Sequence, residues 1–186
     1  MHSILPEAKN PALRSISRVI PQSEIKSPKV KKLIAEMKKL LGKEEYGVAL
    51  AAVQLGEPVR LFIVSGKALA RGARSAPDES SSNLKPKTLD LEPDPLDLVF
   101  IKPVLLKNSR KKIEKHEGCL SIRGKGGEVP RAEKATLQYT DEHGQTMRRG
   151  AAGFLAHIFQ HEMDHLEGVL YTDKAVALYD EEHPKK

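Results

Sequence analysis

The stretch Gly153-Phe154-Leu155-Ala156-His157-Ile158-Phe159-Gln160-His161-Glu162-Met163-Asp164-His165-Leu166 carries a structural and a chemical signal together. Phe154, Leu155, Ile158 and Phe159 give apolar helix faces, so the segment reads as a buried helix. His161 and His165 stand four residues apart, which on a helix means one face and about one turn. Both rings can therefore reach one metal ion, with Glu162 beside it.

Moving outward, Ala135 to Thr140 and Gln145 to Arg149 flank Asp141-Glu142-His143-Gly144, which predicts a β-hairpin. Val59 to Val64 and Leu98 to Ile101 are β-branched and aromatic enough for strands. A second helix opens at Ser27-Pro28, where Ser caps free N–H groups and Pro is tolerated in the first turn. Val30, Leu33, Ile34, Met37, Leu40 and Leu41 then repeat at helical spacing until Gly42, with lysines opposite. Short strands with only two strong helices, and no regular βαβ spacing, predict an α+β fold. One domain over 1–186 is expected, with a flexible insertion at 66–95, rich in Ser and Pro, and a polar tail at 174–186.

The 186 residues are 39% hydrophobic and 30% charged, which suits one core and excludes global disorder. No apolar run reaches the roughly 18 residues of a membrane span. Cys119 is the single cysteine, so no internal disulfide forms. The first ten residues lack the pattern of a secretory signal. A cytoplasmic protein is expected. The net charge is +6, with clusters at Lys29, Lys31, Lys32, Lys38 and Lys39 and at Arg110, Lys111, Lys112 and Lys115. With 25 acidic residues interspersed, four Phe, four Tyr and no Trp, these read as solvated basic faces rather than a sequence-specific nucleic-acid groove.

A catalytic metal site of this kind takes three protein ligands and leaves one position for water. Downstream of the histidine pair, Glu181, Glu182 and His183 lie in the polar tail. Upstream, Glu117-Gly118-Cys119-Leu120-Ser121 offers a turn-like glycine next to the thiol. Cys119 reads either as a thiolate ligand or as a small buried hydrophobe.

A third segment, Gly47-Val48-Ala49-Leu50-Ala51-Ala52-Val53-Gln54, has small residues that let backbone approach a ligand, and it ends in an amide donor. Together the three segments resemble the peptide deformylases, which carry Gly-x-Gly-Leu-Ala-Ala-x-Gln, Glu-Gly-Cys-Leu-Ser and Gln-His-Glu-x-x-Asp-His-Leu in this order. Ala49 is the one departure. The resemblance also takes in Ile4-Leu5-Pro6, Leu13-Arg14, Val129-Pro130-Arg131 and Gly168-Val169-Leu170-Tyr171. It implies antiparallel sheets packed around a central HExxH helix, with an N-terminal amphipathic helix.

By the same resemblance, Cys119, His161 and His165 bind one divalent ion, Fe²⁺ first, with Zn²⁺, Ni²⁺ or Co²⁺ as alternatives. Glu162 moves the proton. Gln54, through its side-chain amide, and Leu120, through its backbone N–H, stabilise the oxyanion. Gly47, Val48, Ala49, Glu117, Gly118 and His157 are the expected substrate contacts, with His157 and Lys115 making the methionine pocket more polar. Glu117 and Arg131 could equally form a supporting ion pair. Asp164 is expected as an acceptor for a ligand imidazole or as a surface residue. His116, His143 and His183 are expected to be exposed and without partners. The implied reaction removes the N-formyl group from newly made formylmethionyl polypeptides and releases formate. It is expected of a monomer, with the ribosome as a candidate partner and no membrane. Rival readings are a metalloendopeptidase, which needs neither Gln54 nor Cys119, and a catalytically weakened metal-binding homologue, suggested by Ala49.

Overall fold

The run Leu61-Phe62-Ile63-Val64 is buried at every position and forms a strand, β2 (Leu61–Val64). The computed structural model describes residues 2–73 and 96–181. In it β2 lies inside a five-stranded antiparallel sheet ordered β1 (Ala49–Ala51), β2, β3 (Leu98–Asn108), β6 (Lys134–Thr140), β7 (Thr146–Ala152). Side chains alternate across a strand, so Phe62 and Val64 enter one core cluster while Leu61 and Ile63 enter another. An unbroken apolar run is what a strand covered on both faces requires.

The cover on one face is α1 (Pro28–Leu41), whose Val30, Leu33, Ile34, Met37 and Leu41 are buried. Its start is as expected: Ser27 Oγ accepts the Val30 N–H at 3.3 Å, with Pro28 in the first turn. The cover on the other face is α3 (Gly153–Leu166), where Leu155, Ile158, Phe159 and Leu166 are buried. Phe62 stacks on Phe100 with ring centroids 4.6 Å apart, and Phe159 meets Phe100 edge-on at 5.2 Å. A second sheet is ordered β4 (Lys112–Cys119), β5 (Ile122–Ala132), β8 (Ala177–Asp180). The expected hairpin is β6–β7, turning at Asp141 to Gly144.

Two expectations are corrected. The segment expected as an insertion begins as a helix, α2 (Gly66–Ala73), whose Ala68 and Leu69 are buried in the cluster with α3. The rest of it, 74–95, lies outside the described residues. The tail does not stay free: 177–180 pairs with β5, Lys125 opposite Asp180 and Glu128 opposite Ala177. Ala49 carries no backbone strain. Among the described residues only Lys102 combines a side chain with positive φ, and Ala49 is extended opposite Val64. Its Cβ is buried in the cluster beneath α3. Ala49→Gly is therefore expected to lower stability by about 0.5–1 kcal/mol without raising turnover, which thermal melts and a rate assay on the same sample would show.

Candidate metal centre

Cys119 ends β4 and the two histidines share one face of α3, so the fold brings together two distant segments. Cys119 Sγ, His161 and His165 offer donor atoms that all lie within 4.8 Å of one another. Cys119 Sγ is 3.4 Å from His165 Nε2. One thiol and two imidazoles form the donor set that suits a first-row divalent ion.

His161 is aimed by Glu117. Its Nδ1 meets Glu117 Oε2 at 2.8 Å, which leaves Nε2 for an ion. Tyr171 stacks on the same ring, centroids 6.1 Å apart. Glu117 is itself gripped by buried Arg131, Nε to Oε1 at 2.7 Å and Nη2 to Oε2 at 2.9 Å. The remaining guanidinium nitrogen donates to Asp164, whose other oxygen accepts Lys174 Nζ at 2.6 Å. Burial opposes the charge on Glu117, but the hydrogen bonds from Arg131 and His161, with the His157 ring 3.6 Å away, outweigh it and hold the carboxyl well below the usual range. Burial also pulls His161 down, yet its bonds to Cys119 and Glu117 prevail and raise it well above its ordinary value. For His165, burial and then the charges of His161 and Arg131 act in one direction, well downward. The Nδ1 of His165 is buried without a hydrogen-bond partner among the described residues.

Glu162 is 3% exposed and its Oε2 has no hydrogen-bond partner among the described residues. Burial pushes its carboxyl up to about 7, the charge on His161 pulling the other way. A carboxyl poised there can both take and return a proton near neutrality.

Gln54 lies in the single turn of 3₁₀ helix, Ala52–Leu55, that follows β1. Its Oε1 accepts the Ala51 N–H at 2.9 Å, and this turns Nε2 toward Ser121 Oγ at 3.3 Å and Cys119 Sγ at 3.5 Å. Leu120 sits in the two-residue turn between β4 and β5, its side chain packed on the α1 cluster. The N-terminal segment ties both turns down, Leu5 N–H to Gln54 C=O at 2.8 Å and Glu7 N–H to Ser121 C=O at 2.9 Å.

Not every expected substrate contact is placed as one. Both oxygens of Glu117 are committed to Arg131 and His161, so it acts as the supporting partner. His157 is 3% exposed, its Nδ1 3.6 Å from Glu117 Oε1 and both ring nitrogens sealed from solvent; it stands behind the centre and lines no open surface. Gly47 is required by packing, since a Cβ there would meet Glu44 Cβ at 2.7 Å and Leu41 Cδ1 at 3.0 Å. Val48 is half-buried and Gly118 exposed. Asp164 serves Arg131, not a ligand imidazole. His116 is exposed but not without partners: its Nε2 meets Glu181 at 2.8 Å and its Nδ1 the Tyr179 hydroxyl at 2.6 Å. Ser121 and the stacked ring of Tyr171 went unforeseen, because neither type has a spacing signature of its own. If Glu117 orients His161, Glu117→Gln should weaken metal affinity by about 10- to 100-fold, read by competition with a chromogenic chelator.

The polypeptide deformylase family model matches residues 3–181. A peptide deformylase of Finegoldia magna is 32% identical over 173 residues, covering 93% of this chain and 89% of that one. One of Roseiflexus castenholzii is 38% identical over 149 residues, 80% of this chain and 74% of that one. Among solved structures, an Acinetobacter baumannii peptide deformylase with Met-Ala-Ser bound superposes with a TM-score of 0.73 at 26% identity, over 94% of this chain and 99% of that one. A family match over nearly the whole chain, with relatives above 30% identity, places this chain in the polypeptide deformylase family.

Proposed function

We propose that this chain hydrolyses the formyl amide of N-terminal formylmethionine on newly made polypeptides, releasing formate and a free methionyl amine. The observation that carries the reading is the convergence of Cys119, His161 and His165 with Glu162 buried beside them and outside the donor set.

The three donors would hold a divalent ion, Fe²⁺ in our reading, with Zn²⁺, Ni²⁺ or Co²⁺ able to occupy the same donors. Such an ion, when bound, supplies a water acidified to near neutrality and a Lewis acid for the formyl oxygen. Glu162 takes a proton from the attacking water and returns it to the leaving nitrogen as the C–N bond breaks. The Gln54 amide and the Leu120 backbone N–H face the developing oxyanion.

Two unpaired strand edges flank this centre. Among the described residues β1 pairs only with β2 and β4 only with β5. The Val48 C=O accepts from Ser65 N–H at 2.9 Å, so by alternation the N–H and C=O of Ala49 lie on the outer edge of β1. An extended peptide can pair there by adding a strand, with Gly118 at the facing end of β4. The bound Met-Ala-Ser of the A. baumannii enzyme has the sequence of a deformylated product of this type.

No helix among the described residues is long and apolar enough to cross a membrane. Action as a monomer in the cytoplasm, close to the ribosome, belongs to the same reading. The test is formyl-Met-Ala-Ser incubated with metal-loaded protein, following formate and peptide masses together. Formate release that stops on chelation and returns with metal is expected. Cleavage of an internal peptide bond instead would indicate the metalloendopeptidase.

A further inference from the structure

The two groups assigned to the oxyanion come from different sheets. Gln54 follows β1 of the five-stranded sheet, and Leu120 joins β4 to β5 of the other. Strand pairing within each sheet does not fix the distance between them. Residues 5–10 span it. On one side, the Leu5 N–H donates to the Gln54 C=O at 2.8 Å, and Asn10 Nδ2 donates to the Val53 C=O at 2.7 Å. These carbonyls belong to the two peptide planes that meet at the Gln54 Cα. Each plane is rigid, so holding both fixes the backbone dihedrals of Gln54 and with them the direction of its side chain. On the other side, the Glu7 N–H donates to the Ser121 C=O at 2.9 Å, one residue past Leu120.

The bond from Asn10 is made in the interior, where Asn10 is 2% exposed. Its Oδ1 accepts the Ala12 N–H at 3.2 Å, which caps the 3₁₀ turn Pro11–Arg14 and leaves Nδ2 aimed at Val53. The segment is anchored at both ends. Leu13 of that turn is fully buried in the cluster with α3, and Leu5 Cδ1 lies 3.3 Å from where a Gly56 Cβ would stand, at the close of the turn that carries Gln54.

We propose that Asn10 is a positioning residue for the oxyanion site, acting through Gln54: its amide holds the Val53–Gln54 peptide so that the Gln54 side chain is aimed before substrate arrives. This rests on the deformylase reading, in which Gln54 Nε2 faces the developing charge. A donor fixed in advance costs no reorganisation when the charge appears, whereas one that drifts loses most of its worth in the transition state.

Asn10→Ser keeps a side-chain oxygen for the cap but is too short to reach Val53. It should lower kcat for formyl-Met-Ala-Ser by about tenfold, part of the 10²- to 10³-fold that a lost oxyanion donor costs, with KM and metal content unchanged. Asn10→Ala, which loses the cap as well, should melt at a lower temperature than Asn10→Ser and yet have the same kcat. In a Gln54→Ala background, Asn10→Ser should change kcat by less than about twofold, because the group it aims is gone. Four results would overturn the positioning role and leave the activity standing: unchanged kcat in Asn10→Ser, a rate that follows melting temperature across the two variants, an equal loss with and without Gln54, or loss of the fold or the metal in either variant. No formate from the unaltered protein would overturn the activity and this role with it.

Discussion

Glu162→Gln is expected to lower kcat by about 10²- to 10⁴-fold with metal content unchanged. Gln keeps the size and polarity of the side chain and removes the proton-carrying oxygen. The site predicts this split because Glu162 is buried next to the donors without being one of them. KM should move little, since the lost interaction develops as the proton transfers. Formate release measured beside metal analysis of the same preparation checks both halves. Loss of metal together with activity would make Glu162 a structural member of the centre and remove its assigned role.

Arg131→Met is expected to destabilise the fold by about 3–5 kcal/mol, because removing one partner of a buried pair leaves Glu117 charged and uncompensated. The pair lies between β4 and β5, and Arg131 is 3% exposed. The damage should also reach His161, which is aimed by the same carboxylate. Chemical denaturation of metal-free protein isolates the stability part. A pH signature accompanies it. Glu117 stays ionised in the fold well below the usual carboxylate range, so its contribution is complete above that range and is lost as the pH falls through and below it. In Arg131→Met this acid-side loss should be much smaller. A stability change under 1 kcal/mol would mean that the pair is dispensable.

Periodicity made α1 and α3 legible in the sequence, and the unbroken apolar run made β2 legible. The chemistry was readable where spacing itself is the signal, as in His161 to His165. Cys119 needed two other segments to settle its reading. What stayed hidden depends on pairing at a distance. The Glu117–Arg131 ion pair is one of two readings the sequence leaves open, because the residues are fourteen apart and meet only through the hairpin of β4 and β5. The strand at Ala177–Asp180 is exposed throughout, so it lacks the apolar alternation that marks a strand. The helix Gly66–Ala73 is too short for its period to stand out from Ser- and Pro-rich sequence that follows. His157 shares a helix face with the donors, yet its environment is set by Glu117 from another element.

β2 divides the molecule in a way that bears on how its relatives diverge. Phe62 and Val64 press on the layer that contains α3, so a change of volume there displaces the helix on which His161 and His165 ride. Leu61 and Ile63 press on the α1 layer, which meets the centre at Leu120 and at Ala52 and Leu55 beside Gln54 and not through the donor helix. Substitutions at these two can be absorbed by repacking under α1, at a cost in stability alone. Neighbouring residues of one four-residue strand are therefore held to different standards by selection, one pair by the chemistry and the other by the fold.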